Sequence, residues 1–393
     1  MMQGRDFIVF SDDWGRHPFS CQHIMEHFLA HNRVLWVNTI GLRTPKLCLY
    51  DLKRSFGKLA SWFLPQDKKE GLPPNLRIVS PFMIPYNTVA SVRKYNKSRV
   101  VHTVREAMKE WNMETPVFFA TLPNAADYVG CFDESLVVYY CVDDFTVWPG
   151  MNQPELVRGL EADLLNKADL VIAVSDSLCD TRSNGRSDTR LLTHGVDVDH
   201  FAPGDLPFVK PEAMRDLTGP ILGFYGLIDS HFDVALVKGV LNARPDWQIV
   251  CIGTKRIDLG PLESEPNFLW IPPVPYTQLP HFAACFDVAF IPYVVNAHTQ
   301  TANPLKLREY LATGKPVVTT PMAEVFRFKD IIHIADSVDS FVSALDAALH
   351  ENVLAEERRK ALAGERWSDK AELVSCWIEE EVASLPAKRE KSQ

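Results

Sequence analysis

The eight cysteines include no pair with the two-residue spacing of a zinc-binding motif. They lie mostly within apolar runs such as "VVYYCVDD" and "QIVCIG", which is typical of reduced, buried thiols and gives no indication of a structural metal. No apolar run reaches the roughly 18 residues of a membrane-spanning helix. The opening "MMQGRDFIVFSDDW" favours a first core strand over a signal peptide. These absences predict a cytoplasmic protein without a metal ion.

Positive charge is also scarce, because 41 Lys and Arg residues face 50 Asp and Glu residues, giving a formal net charge of −9. Such a balance argues against a protein that coats nucleic acid, so we expect no nucleic-acid partner. The hydrophobic fraction of 46% excludes a disordered chain. The length of 393 residues predicts two to three domains at roughly 150 residues each.

Three common active-site motifs are missing as well. The apolar run "LGFYGLI" offers only Gly223 and Gly226, too few for the dinucleotide fingerprint G-x-G-x-x-G. The Gly314–Lys315 pair has Glu309 where a P-loop needs a glycine. No G-x-S-x-G elbow supplies the nucleophile of an α/β-hydrolase.

Short apolar runs alternate with helical patterns throughout the chain, which predicts parallel α/β sheets. Two Rossmann-like domains facing a cleft are the natural architecture. The predicted helices include 233–243, 277–285 and 304–313. The predicted strands are 6–11, 33–39, 76–81, 116–122, 135–142, 170–175, 189–194, 221–228, 247–253, 267–272, 287–292 and 316–320.

The alternation of strand and helix patterns stops in a proline-containing stretch without sustained periodicity, which predicts a linker over 201–219. The N-terminal domain then covers 1–200 and the C-terminal domain 220–365. A helical pattern follows over 366–385, and we expect the tail 386–393 to be frayed.

The segment 303–318, "NPLKLREYLATGKPVV", is the most informative one. Asn303 can cap a helix, Pro304 suits its first position, and Gly314 ends it. The N–H groups of the first turn, together with Lys306, predict an anion site. Glu309 shares that face and could accept hydrogen bonds from vicinal hydroxyls, as the ribose of a nucleoside diphosphate requires. The alternative is an ordinary Lys/Glu pair on a well-capped helix.

This segment, together with "FLWIPPVPYTQLPHFAACFDVAFIPY" and "LLTHGVDVDHFAP", resembles the GT-B glycosyltransferases. The nearest resemblance is to the branch related to family 4 and to polysaccharide-building enzymes. It implies a hexosyltransferase that uses a nucleoside-diphosphate sugar as co-substrate and no further cofactor. It also implies that Glu309 holds the ribose and that the acceptor, a glycan or a lipid-linked glycan of the cell surface, binds the N-terminal domain. The final helix would return to that domain.

The chain departs from this family at two places. Thr301 stands where the usual first glutamate lies, and the loop "GLIDSHFD" lacks the usual Arg and Lys for the diphosphate. The helix N-terminus, Lys306 and His298 must then stabilise most of the leaving group's charge. The predicted donor-binding residues are Glu309, Asn303, Lys306, His298, Thr301, Gly226, His231 and His194.

Strand ends of the N-terminal half supply the candidates for the acceptor side. Asp143 is predicted to orient the acceptor or act as its base, the alternative being a loop aspartate that caps the next helix. The loop with Asp12, Asp13, Arg16 and His17 is a second acceptor-side candidate, with His17 as a catalytic residue. If the reaction retains configuration, the departing phosphate can take the acceptor proton, and if it inverts, Asp143 is the candidate base.

The segment 46–64, "KLCLYDLKRSFGKLASWFL", predicts a basic amphipathic helix. Such a helix suits an anionic membrane surface and would place the protein on the inner face of the plasma membrane. Alternatively, its apolar face packs on its own sheet.

Two other functions fit the same architecture. A non-hydrolysing sugar-nucleotide epimerase would need no acceptor site. A non-catalytic nucleotide-sugar-binding or scaffold protein would have kept the fold and lost the diphosphate-binding residues.

Overall fold

Parallel strands alternate with helices through both parts of the chain, as the apolar runs predict. The computed structural model describes residues 1–15, 19–39, 71–183, 189–202, 210–351 and 354–391. The chain divides into one unit of Met1–Leu192 with Trp367–Gln393, and a second unit of Thr193–Arg366. Arg16, His17 and the segment 46–64 lie outside the described residues.

The first unit is built on a parallel sheet with the strand order β3-β2-β1-β4-β5-β6-β7. Its strands are Asp6–Ser11 (β1), Arg33–Asn38 (β2), Leu76–Val79 (β3), Val117–Ala120 (β4), Leu136–Cys141 (β5), Leu170–Ala173 (β6) and Arg190–Leu191 (β7). Its first helices are Ser20–Phe28 (α1), Ala90–Trp111 (α2), Pro154–Lys167 (α3) and Asp176–Arg182 (α4). All six residues of β5 are buried, because a parallel sheet is covered by helices on both faces.

The second unit repeats this design with the strand order β10-β9-β8-β11-β12-β13. Its strands are Ile221–Tyr225 (β8), Gln248–Ile252 (β9), Phe268–Ile271 (β10), Val288–Ile291 (β11), Val317–Thr319 (β12) and His333–Ile334 (β13). Its helices are Val198–Phe201 (α5), Val234–Ala243 (α6), Gly260–Glu263 (α7), Leu279–Ala284 (α8), Ala297–Thr301 (α9), Leu305–Thr313 (α10), Val338–Leu349 (α11) and Ala355–Lys360 (α12). In both sheets the order reverses beside the first strand, which is the doubly wound Rossmann-like topology.

The division between the units falls at Leu192/Thr193, earlier than the predicted boundary after residue 200. The N–H of Val196 donates to the carbonyl of Glu365 at 2.8 Å, and Phe201 packs in the second core. These contacts fix the end of the predicted N-terminal domain and the first residue of the predicted linker to the second unit.

The final helix, Trp367–Lys391 (α13), belongs to the first unit. The Trp367 ring stacks on His23 with 4.6 Å between centroids, and the Ser375 hydroxyl accepts from the backbone N–H of Met2 at 2.6 Å. The helix continues past residue 385, where the sequence predicted its end. Among the described helices, none combines the length and the apolar character needed to cross a membrane.

Candidate functional site

Two glycines form a close backbone contact at the carboxyl ends of β8 and β9. Gly226 and Gly253 both have φ of 136°, a region that favours glycine. A Cβ on Gly253 would lie 2.0 Å from the carbonyl oxygen of Gly226. A Cβ on Gly226 would lie 2.0 Å from Cε of Lys306. The Lys306 side chain therefore lies directly over the backbone at the end of β8.

The helix that carries Lys306, α10, begins differently from the prediction. Pro304 is its N-cap, and no side chain of the described residues caps it. Asn303 instead accepts from Nη1 of Arg308 at 2.5 Å and donates to Glu324 at 3.4 Å, so the predicted cap is wrong. The predicted end is confirmed, since Gly314 is the C-cap with φ of 78°. The N–H groups of the first turn thus lack a side-chain cap, as an anion site requires.

A buried ion pair fixes the position of α10. Arg308 is 2% exposed, and its Nε donates to the Glu365 carboxylate at 2.5 Å. The same carboxylate accepts from the Thr193 hydroxyl at 3.1 Å. A buried guanidinium requires such partners, and Asn303 is one of them. This need explains why Asn303 points to Arg308 and not to the helix end.

Lys306 is half-buried, and its Nζ donates to the hydroxyl of Tyr293 at 2.7 Å. Burial alone would lower the pKa of Lys306, but Tyr293 and the charges of Glu309 and Asp229 outweigh it and raise that pKa. The side chain is therefore an ammonium at neutral pH. It is a cation placed beside the start of a helix.

Glu309 lies one turn further along α10. Burial raises the pKa of Tyr225 well above its usual value, and the Glu309 carboxylate raises it further. The same two causes raise the pKa of Tyr276. Glu309 therefore faces phenol groups near the carboxyl end of β8, and its oxygens can accept hydrogen bonds from hydroxyl groups.

The loop after β8 holds an aspartate–histidine pair. The Asp229 carboxylate accepts from the backbone N–H of His231 at 3.0 Å and lies 2.7 Å from its Nδ1. Burial opposes ionisation of Asp229, but the hydrogen bonds from His231 prevail and lower the pKa of that carboxyl. The His298 ring lies 4.6 Å from the His231 ring, between centroids. The loop that lacks Arg and Lys thus contributes the His231 imidazole, which lies beside the His298 imidazole of α9.

Seven of the eight predicted donor residues separate into two groups, and the eighth, Asn303, is engaged by Arg308. Members of the first group interact with one another directly or through the side chains described above, and they are Gly226, Lys306, Glu309, His231 and His298. Thr301 donates to the carbonyl of His298 at 2.9 Å within α9, and His194 is buried in the segment after β7. For all eight residues, contacts with a donor stay predictions.

Sequence reasoning missed Tyr293 and Asp229, which both contact the predicted residues. It also missed Arg256, an exposed residue after β9 whose charge lowers the pKa of Asp229. All three follow the carboxyl ends of strands. That position was the one signal that could have identified them.

In the first unit, Asp143 and Asp144 have separate partners. Asp143 accepts from the indole N–H of Trp148, and Asp144 forms an ion pair with Arg182 at 3.0 Å. The next helix, α3, has Gln153 as its N-cap, so the alternative that Asp143 caps it is wrong. Its role as acceptor base stays a prediction.

The loop after β1 is described only up to residue 15. There the Asp12 carbonyl accepts from the indole N–H of Trp36 at 3.0 Å. The described part of the chain contains no group of three or more His, Cys, Asp or Glu residues that could hold a metal ion.

Comparison with known proteins places this geometry in context. No family model matches the chain. A Bacillus subtilis strain 168 protein, TuaH, named as a teichuronic acid biosynthesis glycosyltransferase, is 25% identical over 233 residues. The match covers 54% of this chain and 57% of that relative, little more than half of its length.

Solved structures match over almost the whole chain. Sucrose-phosphate synthase from Thermosynechococcus elongatus has a TM-score of 0.73 and 13% identity, covering 97% of this chain and 100% of that one. HepE of Anabaena in complex with UDP and glucose has a TM-score of 0.63 and 12% identity, covering 95% and 99%. A trehalose-6-phosphate protein from E. coli bound with UDP-2-fluoro glucose has a TM-score of 0.66 and 13% identity, covering 96% and 99%. The predicted GT-B resemblance is confirmed at the level of the fold.

Proposed function

We propose that this protein is a glycosyltransferase that takes a sugar from a nucleoside-diphosphate-sugar donor bound to the second unit. One observation carries the proposal. The Lys306 ammonium lies over Gly226 at the carboxyl end of β8, beside the start of α10, with Glu309 one turn further on. A cation and a helix N-terminus suit a diphosphate, and a carboxylate one turn away suits a ribose.

These groups would act mainly on the leaving nucleoside diphosphate. Glycosyl transfer places negative charge on the departing phosphate, and positioned donors lower the barrier by stabilising that charge. Lys306 and the first-turn N–H groups of α10 supply such donors. His231 and His298 are further candidates, because they lie in the loop after β8 and in the short helix α9. Glu309 would hold the ribose and so fix the position of the diphosphate.

The proposal also includes the class of acceptor. The name of the relative TuaH refers to teichuronic acid biosynthesis, which supports a polysaccharide or lipid-linked acceptor in cell-surface glycan assembly. HepE holds UDP and glucose, which supports UDP-sugars as the first donors to test.

The donor is tested first by a thermal-shift screen of UDP-, GDP-, ADP- and dTDP-sugars, since a ligand that binds the fold raises its apparent stability. The binding sugar nucleotide is then supplied with and without candidate acceptors. We expect nucleoside diphosphate to be released rapidly with the acceptor and slowly without it. Lys306→Ala should abolish the release, and Lys329→Ala, an exposed control in the same unit, should not.

Other outcomes would contradict the proposal. Conversion of the donor sugar without release of nucleoside diphosphate would indicate an epimerase. Tight donor binding with neither release nor conversion, whatever the acceptor, would indicate a binding or scaffold protein. A chain that binds no sugar nucleotide would refute the donor site itself.

A further inference from the structure

The surface where β3 leads into α2 carries exposed apolar side chains. Phe82 is 37% exposed, Tyr86 43%, Val89 48% and Tyr95 44%. These four residues are among ten large hydrophobic side chains that are exposed in the described chain. Isolated exposed apolar residues are normal, but a group of them within fourteen positions of the sequence indicates a contact surface.

This surface is held in a defined shape. The buried side chain of Asn96 accepts from the N–H of Ile84 at 2.8 Å and donates to the carbonyl of Ile84 at 2.8 Å. The same amide donates to Asn87 at 2.8 Å. The loop with Tyr86 is thereby fixed to the first turns of α2, which carry Tyr95. These hydrogen bonds therefore give the loop that carries Tyr86 a defined conformation.

Within the sequence around this surface, the charged residues are all basic. Residues 71–105 contain no Asp or Glu, although the whole chain has a net charge of −9. Arg77 and Arg93 pair with Glu110 and Asp127. Three exposed basic side chains on α2 form no ion pair within the described residues, and they are Lys94, Lys97 and Arg99.

The helix end adds to this positive field. No side chain of the described residues caps α2, and its first turn contains no acidic residue. Its positive dipole end therefore lies beside Val89 and Tyr86 with no neighbouring carboxylate from that turn.

From this combination we infer that residues 82–99 form a docking surface for an anionic lipid bilayer. Aromatic side chains prefer the interface between headgroups and acyl chains, and basic residues are attracted to anionic headgroups. Tyr86, Val89 and Tyr95 insert at the level of the headgroups, and the basic side chains of α2 contact lipid phosphates. A soluble polyanion would use the charge alone and leave the apolar side chains without a role.

The charge contribution is tested by sedimentation of the full chain with phosphatidylcholine vesicles that contain or lack phosphatidylglycerol. We expect binding only to the anionic vesicles, with release at high salt. Each basic side chain near such a surface contributes about five-fold to partitioning. Lys94→Gln/Lys97→Gln/Arg99→Gln should therefore weaken binding roughly 100-fold.

A matched control removes the same charge elsewhere. Arg215→Gln/Lys329→Gln/Lys360→Gln alters three exposed positions of the second unit and should leave vesicle binding unchanged. Equal loss in both variants would overturn the inference, as would a wild type that ignores anionic vesicles. Donor binding, measured in parallel by thermal shift, should be the same in all these proteins. This readout separates failure of the surface from failure of the proposed function.

The apolar contribution needs its own variant. Tyr86→Ser/Val89→Ser/Tyr95→Ser keeps every charge and should weaken vesicle binding at least ten-fold at low salt. If this variant sediments like the wild type, the surface binds polyanions by charge alone and the bilayer assignment is wrong.

Discussion

Replacing Gly226 by Ala should disable the donor site through Lys306. The added Cβ would lie 2.0 Å from Cε and 2.7 Å from Nζ of that side chain. Because these atoms are the far end of a flexible chain, the lysine can move aside, and it then loses its 2.7 Å hydrogen bond to Tyr293. The ammonium would leave the place where we propose that the diphosphate binds.

The magnitude follows from the contact that is lost. A hydrogen bond between charged groups is worth about 1.5–3 kcal/mol, which corresponds to roughly 10- to 150-fold in Kd. Gly226→Ala should approach the loss seen in Lys306→Ala. The φ of 136° adds strain of about 1–3 kcal/mol to folding. That strain lowers stability but does not distinguish nucleoside diphosphate from nucleoside.

A double-mutant cycle separates these effects. Calorimetry would measure the affinity of each variant for the nucleoside diphosphate that the wild type binds and for the matching nucleoside. With Lys306 already replaced by Ala, Gly226→Ala should change diphosphate affinity by less than two-fold, because the Cβ has nothing left to displace. Fully additive losses would refute the steric argument. Equal losses for nucleoside and diphosphate would refute the assignment of Lys306 to the phosphates.

Three further predictions concern single positions. Glu309→Gln should leave folding intact and weaken the binding of ribonucleotides roughly ten-fold, while the binding of dideoxynucleotides should not change; equal losses of affinity in calorimetry would show that Glu309 does not bind the ribose. Gly253→Ala should destabilise the protein more than Gly226→Ala in urea unfolding, because its Cβ meets the Gly226 carbonyl, which cannot move aside as a side chain can. Arg182→Met should cost about 3–5 kcal/mol at pH 7, because it leaves the buried carboxylates of Glu161 and Asp144 without their cation, and a loss below about 1 kcal/mol would contradict this. Burial opposes ionisation of Asp144, but Thr146 and Arg182 lower its pKa in the folded state below the usual 3.8. The ionised carboxylate therefore stabilises the fold fully above pH 3.8, and this stabilisation is lost as the pH falls through the lower pKa of the folded state. Arg182→Met should reduce this loss of stability at acid pH.

The fold was predictable because parallel strands are buried on both faces and so form uninterrupted apolar runs. Each of the twelve predicted strands overlaps an observed one. The strand that was missed, His333–Ile334, has two half-buried residues at the sheet edge, which is too short to give a pattern. The predicted strand 189–194 is observed only as Arg190–Leu191, which lies at the edge of the first sheet.

The site was predictable only where one segment contains its own signals. Pro304 and Gly314 delimit α10 in the sequence, so Lys306 and Glu309 could be assigned to one helix face. Asn303 was assigned wrongly because nothing local shows that Arg308 is buried and needs its oxygen. Other contacts join different strand ends. Tyr293 reaches Lys306 from the end of β11, and sequence spacing does not encode such a meeting.

The charges around Lys306 explain why one side chain can test the proposed site. The loop after β8 contributes Asp229, whose carboxylate would repel a phosphate if it were unpaired. Two hydrogen bonds from His231 engage it. Burial lowers the pKa of Lys306, but Tyr293, Glu309 and, last, Asp229 together raise it. The ammonium therefore stays charged without a ligand, and a diphosphate can bind without changing its protonation. Because that loop contains no Arg or Lys, the proposed site relies on Lys306 for its charged contact to the phosphates. Its removal should therefore cost more affinity than the loss of one cation from a site that has several.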